Sequence, residues 1–184
     1  SHIPVQRVEG EGEKVQVKIC GLMGGHSGAE IDKNRANANK LMGRFLYGLK
    51  KKADYAVISL AGGQKDNAIT RECTVEFLTD AVEDVNTYAK ELQSQIREEY
   101  TGSDENITIE VKAEGTGTSQ VLHPTSQEKI VFYLQNVPFG IQKMSGTIKG
   151  LVESSSNIGI LRLDEDELFA SSSVRSSVDA ACSA

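Results

Sequence analysis

One histidine stands in a run of glycines, Gly21-Leu22-Met23-Gly24-Gly25-His26-Ser27-Gly28-Ala29-Glu30-Ile31. Glycine permits tight and left-handed backbone that other residues resist. His26 is therefore expected on a sharp turn with little bulk on either side. An imidazole placed in this way can donate a hydrogen bond to a carbonyl and to the oxyanion that forms from it. Ser27 and Glu30 have the S-x-x-E spacing of a capping box. That spacing predicts a helix starting here, with His26 just outside its positive end. The same run also fits an ordinary strand-to-helix turn bearing a surface histidine.

Metal chemistry has little to stand on. His2, His26 and His123 are scattered, and Cys20, Cys73 and Cys182 are odd in number and widely spaced. They match neither a C-x-x-C metal site nor a disulfide framework. Glu98-Glu99 falls at a predicted helix end. Asp164-Glu165-Asp166-Glu167 lacks the spacing and glycine of a calcium loop and reads as a solvated hairpin turn.

Positioning His26 requires a strand before it and a helix after it. Val15, Val17 and Ile19 alternate with polar residues, the two-residue period of a half-buried strand. Ile31, Ala38, Leu41, Met42, Phe45, Leu46 and Leu49 form a helical stripe that predicts a helix from Glu30 to about Lys51. Strands follow over Tyr55–Leu60 and Ile69–Leu78. A helix capped by Asp80 runs to about Tyr100, and a fourth strand covers 107–113. The order β-α-β-β-α-β predicts a ferredoxin-like sandwich, an antiparallel sheet with both helices on one face. Beyond it come a loop at Gly115–Ser119 and a helix led by a Thr125-x-x-Glu128 capping box. Strands at Ile148–Glu153, Ile158–Leu163 and Leu168–Val174 would complete a β-meander. The expected division is 14–113 for the core and 120–179 for the appended helix and strands, with 1–13 and 180–184 flanking.

The 184 residues are 39% hydrophobic and 25% charged, with a net charge of −6. That supports a globular domain with a buried core. The acidic balance argues against nucleic acid as the main partner. No apolar run reaches the ~20 residues of a membrane span. No basic segment followed by an apolar one opens the chain, so no signal peptide is expected, and a reducing cytoplasm is the default. The chain begins at Ser1 and not at methionine, as expected of a segment of a longer protein.

Several stretches act together with the glycine run. They are Asn37-Ala-Asn-Lys-Leu41, Arg44-Phe-Leu46, Gly62-Gly63, Asn67-Ala-Ile69 with Arg71-Glu72, Gly150-Leu-Val-Glu153, Ser155-x-Asn157-x-Gly159 and Val174-Arg175-Ser176. In this order the chain resembles the lid, or dimerisation, domain of the aminoacyl-histidine dipeptidase (PepD) family of zinc metallopeptidases. The resemblance implies a parent hydrolase whose separate catalytic domain holds two zinc or similar divalent ions, with none in this chain. It implies a homodimer acting on dipeptides, in which metal-bound water attacks the peptide carbonyl. It makes His26 the lid histidine that stabilises the oxyanion, typically in the partner subunit's active site. It makes Asn67 and Arg175 candidates for substrate binding, Arg175 for the substrate carboxylate, and Asn157 a residue that either binds substrate or holds a turn. Thr70 replaces a proline usual in the family, which predicts a less rigid loop around Asn67. The isolated chain is expected to be inactive. The alternative is a stand-alone ferredoxin-like module that dimerises and binds a small molecule without catalysis.

Overall fold

The computed structural model describes residues 1–177. The expected core is present. β2 (Arg7–Cys20), α1 (Ala38–Leu49), β4 (Ala56–Gly62), β6 (Cys73–Thr79), α2 (Val82–Glu99) and β7 (Thr108–Leu122) give the spatial order β4-β6-β2-β7, with every pair antiparallel. Val15, Val17 and Ile19 are fully buried and join Phe45 of α1, Phe77 of β6 and Leu92 of α2 in one core. The opposite face of the sheet is polar. There Lys14 lies 3.5 Å from Glu76 and 3.4 Å from Glu114, and Lys18 lies 2.9 Å from Glu72.

The C-terminal elements do not form a separate layer. β9 (Val152–Leu163) pairs with β4 at Ala61↔Arg162 and Gly62↔Leu161, so the sheet continues through β9 to β10 (Glu167–Ser176). A short β1 (His2–Pro4), not expected from sequence, closes that edge against β10. β8 (Gly140–Met144) pairs with the first half of β9. The meander strand expected at Ile148–Glu153 is thus shifted. Ile148 lies in the turn, and the chain pairs from Val152 onward. The remaining strands, β3 (Gly25–His26) and β5 (Ala68–Ile69), form a separate two-stranded ribbon. Among the described residues no helix is long and apolar enough to cross a membrane. The 180–184 flank, and Cys182 with it, lies outside the described residues.

Three further expectations are corrected. Residues 115–119 are not a loop but the middle of β7, which pairs with β2 as far as Arg7↔Leu122. α3 (Pro124–Asn136) is capped by His123, whose Nδ1 accepts from Thr125 N, and not by Thr125. α2 begins after Ala81 without a side-chain cap, and the Thr79 hydroxyl, not Asp80, takes the Ala81 N–H. α3 packs on α1 partly through Lys40. Its ammonium donates to the carbonyls of Leu134, Gln135 and Val137 at the C-terminus of α3. Cations are favoured at that end of a helix.

Candidate functional site

His26 lies on the β3–β5 ribbon, where Gly25 faces Ile69 and His26 faces Ala68. The Ser27 N–H donates to Asn67 O at 2.9 Å. The expected helix does not start here. The Ser27 hydroxyl is buried without a partner among the described residues. A single 3-10 turn (Ile31–Lys33) follows, and Asn34 ends it in the left-handed region at φ 52°. α1 begins only at Ala38, where the Asn37 side chain accepts from Asn39 N at 2.9 Å and Lys40 N at 3.3 Å. Asparagine both tolerates left-handed backbone and caps helices well, so the pair Asn34 and Asn37 moves the start eight residues downstream of Glu30.

What replaces the helix end is a backbone cradle. His26 Nδ1 accepts from Gly28 N at 3.1 Å and from Ala29 N at 3.2 Å. With Nδ1 acting as an acceptor, a neutral ring carries its proton on Nε2. The ring is exposed and Nε2 has no partner among the described residues. Glu30 reaches back, its carboxylate accepting from the His26 N–H at 2.8 Å and pairing with Arg35 at 2.9 Å. Arg35 in turn donates to Gly24 O. Gly24 has φ 66°, and a β-carbon there would overlap the Arg71 side chain. Both ends of the segment are held by buried Asp104, whose two oxygens accept from Met23 N at 2.6 Å and Ala36 N at 2.7 Å.

The His26 backbone N–H, and after it the Arg35 guanidinium, hold the Glu30 carboxyl below its ordinary value of 4.5. A lowered folded value means that this contact stabilises the fold fully above 4.5. The stabilisation is lost as pH falls through the lower folded value. Thermal stability is therefore expected to fall on acidification below 4.5. Glu30→Gln should flatten that fall in part, because Glu76 and Glu99 are lowered as well. Melting curves across acidic pH check this, and an unchanged slope in the variant would remove Glu30 from the account.

Asn67 and Arg175 come to the same place. Asn67 is exposed, beside the Ser27 amide, with its side chain unbonded among the described residues. Arg175, on β10, is exposed and lies over Gly28, where a β-carbon would stand 2.7 Å from Cζ. The guanidinium makes no hydrogen bond or ion pair within the described residues. Three uncommitted polar groups thus surround one turn. Asn157 is placed differently from a substrate contact. It is 1% exposed, its Nδ2 donates to Asp66 O at 3.0 Å and Ala68 O at 2.8 Å, and its Oδ1 accepts from Asn37 Nδ2 at 3.1 Å. No polar atom of Asn157 is left for a ligand.

Thr70 holds the loop around Asn67 in another way than a proline would. Its buried hydroxyl donates toward Ile158 O and Gly159 O, at 3.2 and 3.1 Å, and accepts from Asn39 Nδ2 at 3.2 Å. Asp104 was not marked by the sequence as part of this site, and Glu30 was read there only as a helix cap. Among the described residues, no group of three or more His, Cys, Asp or Glu could hold a metal ion.

Comparisons with known proteins agree with this fold. A family profile described as "Peptidase dimerisation domain" matches residues 17–104. The cytosol non-specific dipeptidase of Escherichia coli (strain K12) is 28% identical over 180 residues, which are 97% of this chain and 37% of that protein. The crystal structure of aminoacylhistidine dipeptidase from Vibrio alginolyticus superposes with a TM-score of 0.87 at 30% identity. The match covers 99% of this chain and 38% of that one. The chain thus spans less than two-fifths of either relative, and its matches make it a peptidase dimerisation domain similar to that part of these dipeptidases.

Proposed function

We propose that this domain is the lid of a cytoplasmic, homodimeric dinuclear zinc dipeptidase and that His26 completes the partner subunit's active site. The observation that carries the reading is the acceptance of two backbone N–H bonds by His26 Nδ1. That arrangement leaves an Nε2–H free to donate to the substrate carbonyl and to strengthen as charge develops on its oxygen. Asn67 is suited to a polar group of the dipeptide, and the Arg175 guanidinium to its terminal carboxylate. Two zinc or similar divalent ions would lie on residues outside this chain and supply the activated water. Among the described residues no cluster fits a metal, and hydrolysis by the isolated domain is not expected. With a net charge of −6, nucleic acid is an unsuitable partner.

A mixed dimer tests the assignment in trans. One full-length subunit carries His26→Ala, and the other carries an intact lid with a disabled metal ligand. One intact lid then faces one intact metal centre. About half of the wild-type activity per dimer should return, since one of two symmetry-related sites is rebuilt. Purified heterodimers that stay inactive would place His26 within its own subunit's site.

A further inference from the structure

We infer that Asn157 and Asn37 form a buried positioning pair that sets His26 and Asn67 relative to Arg175. The inference rests on the functional reading above and adds residues to it that touch no substrate. The orientation of both amides follows from what each atom must do. Asn37 Oδ1 accepts from two N–H groups at the start of α1, so Asn37 Nδ2 must be the atom that faces Asn157. Asn157 therefore turns its Oδ1 to Asn37 and both Nδ2 hydrogens to the carbonyls of Asp66 and Ala68. Those two carbonyls flank Asn67, and Ala68 is the cross-strand partner of His26.

The other side of Asn157 leads to Arg175. On β9, Asn157 faces Ser173 of β10, two residues before Arg175. One side chain thus joins the ribbon bearing His26, and Asn67 just before it, to the strand that pairs with that of Arg175. The loop rests directly on β9 at Gly159, where a β-carbon would come within 2.5 Å of Asp66 Cα. Asn157 is well suited to fix this register, because both donors are spent on carbonyls two residues apart in one loop. Without these bonds the part-buried carbonyls of Asp66 and Ala68 would lose the donor that ties them to β9.

The test uses the full-length dimeric protein and two variants. Asn157→Asp places acceptor oxygens against the two carbonyls. Asn37→Ser keeps an oxygen to cap α1 but deletes the donor to Asn157. Both should lower kcat/KM with the loss mainly in kcat, by about 10–100-fold for Asn157→Asp, as expected when reacting groups are misplaced by about 1 Å. In a His26→Ala background the same substitutions should cost little more, since a positioning residue acts through the group it positions. Peptides covering 22–30 should exchange backbone hydrogens faster in both variants, while those from β2 and β6 keep the wild-type rate. Equal fractional losses in both backgrounds, or unchanged exchange over 22–30, would overturn the proposal. A His26→Ala enzyme with wild-type kcat would instead sink the functional reading, and the exchange arm alone would decide the positioning. Should Asn157→Asp fail to fold, Asn37→Ser carries the same comparisons.

Discussion

His26→Ala in the full-length protein is expected to lower kcat by about 10²–10³-fold while KM changes little. The reason lies in the cradle around the ring. Gly28 N and Ala29 N hold Nδ1, so in the proposed role the imidazole would enter the reaction already oriented and with its donor outward. A donor aimed where charge develops acts mainly in the transition state, and its loss appears in kcat. The backbone of the turn should survive the substitution. The His26 N–H still reaches Glu30, and Ser27 N still reaches Asn67 O. Steady-state kinetics on a dipeptide separate the two parameters. A loss confined to KM would make His26 a ground-state binding residue, and no loss would remove it from the chemistry. Arg175→Ala should behave in the opposite way and raise KM, since a terminal carboxylate is present in substrate and transition state alike.

Much of this site could be read from the sequence because glycines mark where backbones meet. Gly63 has φ 74°, and a β-carbon there would overlap the Gly159 carbonyl oxygen. The Gly62-Gly63 and Ser155-x-Asn157-x-Gly159 segments are therefore two halves of one close contact. Val15, Val17 and Ile19 announced β2 in the same direct way, by a period that only one half-buried geometry explains. β7 was read too short for a physical reason. Residues 114–118 are exposed, and 115–118 pair with Glu11–Lys14 of β2, so no core marks them with apolar residues. The Ser27-x-x-Glu30 pattern misled because Glu30 does reach back to a backbone N–H, that of His26 and not that of Ser27. A single residue of offset turns a helix cap into a brace for the histidine. Asn157 shows a different limit, since a buried asparagine spent on backbone carbonyls has the same letter as one that meets a ligand.

Asp104 had no sequence signal, because its partners are backbone N–H groups far away along the chain, at Met23 and Ala36. Asp104→Ala is nonetheless expected to be among the most damaging single changes in the domain. Two hydrogen bonds to a charged acceptor are lost, at about 1.5–3 kcal/mol each, for a total of about 3–6 kcal/mol. For a chain of this size that corresponds to a fall in Tm of about 6–24 °C. The damage should be concentrated rather than spread. Asp104 is 2% exposed and ties both ends of the segment that carries His26, whereas α1 keeps its Asn37 cap and the core keeps Phe45 and Phe77. Peptides over 22–36 should therefore lose exchange protection before those of β2 or α1. Asp104→Asn offers the control. It retains one acceptor oxygen but presents an amide donor to the second N–H, so it should fall between wild type and alanine. A Tm within 2 °C of wild type for Asp104→Ala, about the effect of one weak contact, would mean that solvent replaces the carboxylate. The segment bearing His26 would then be held by Glu30, Arg35 and the β3–β5 ribbon.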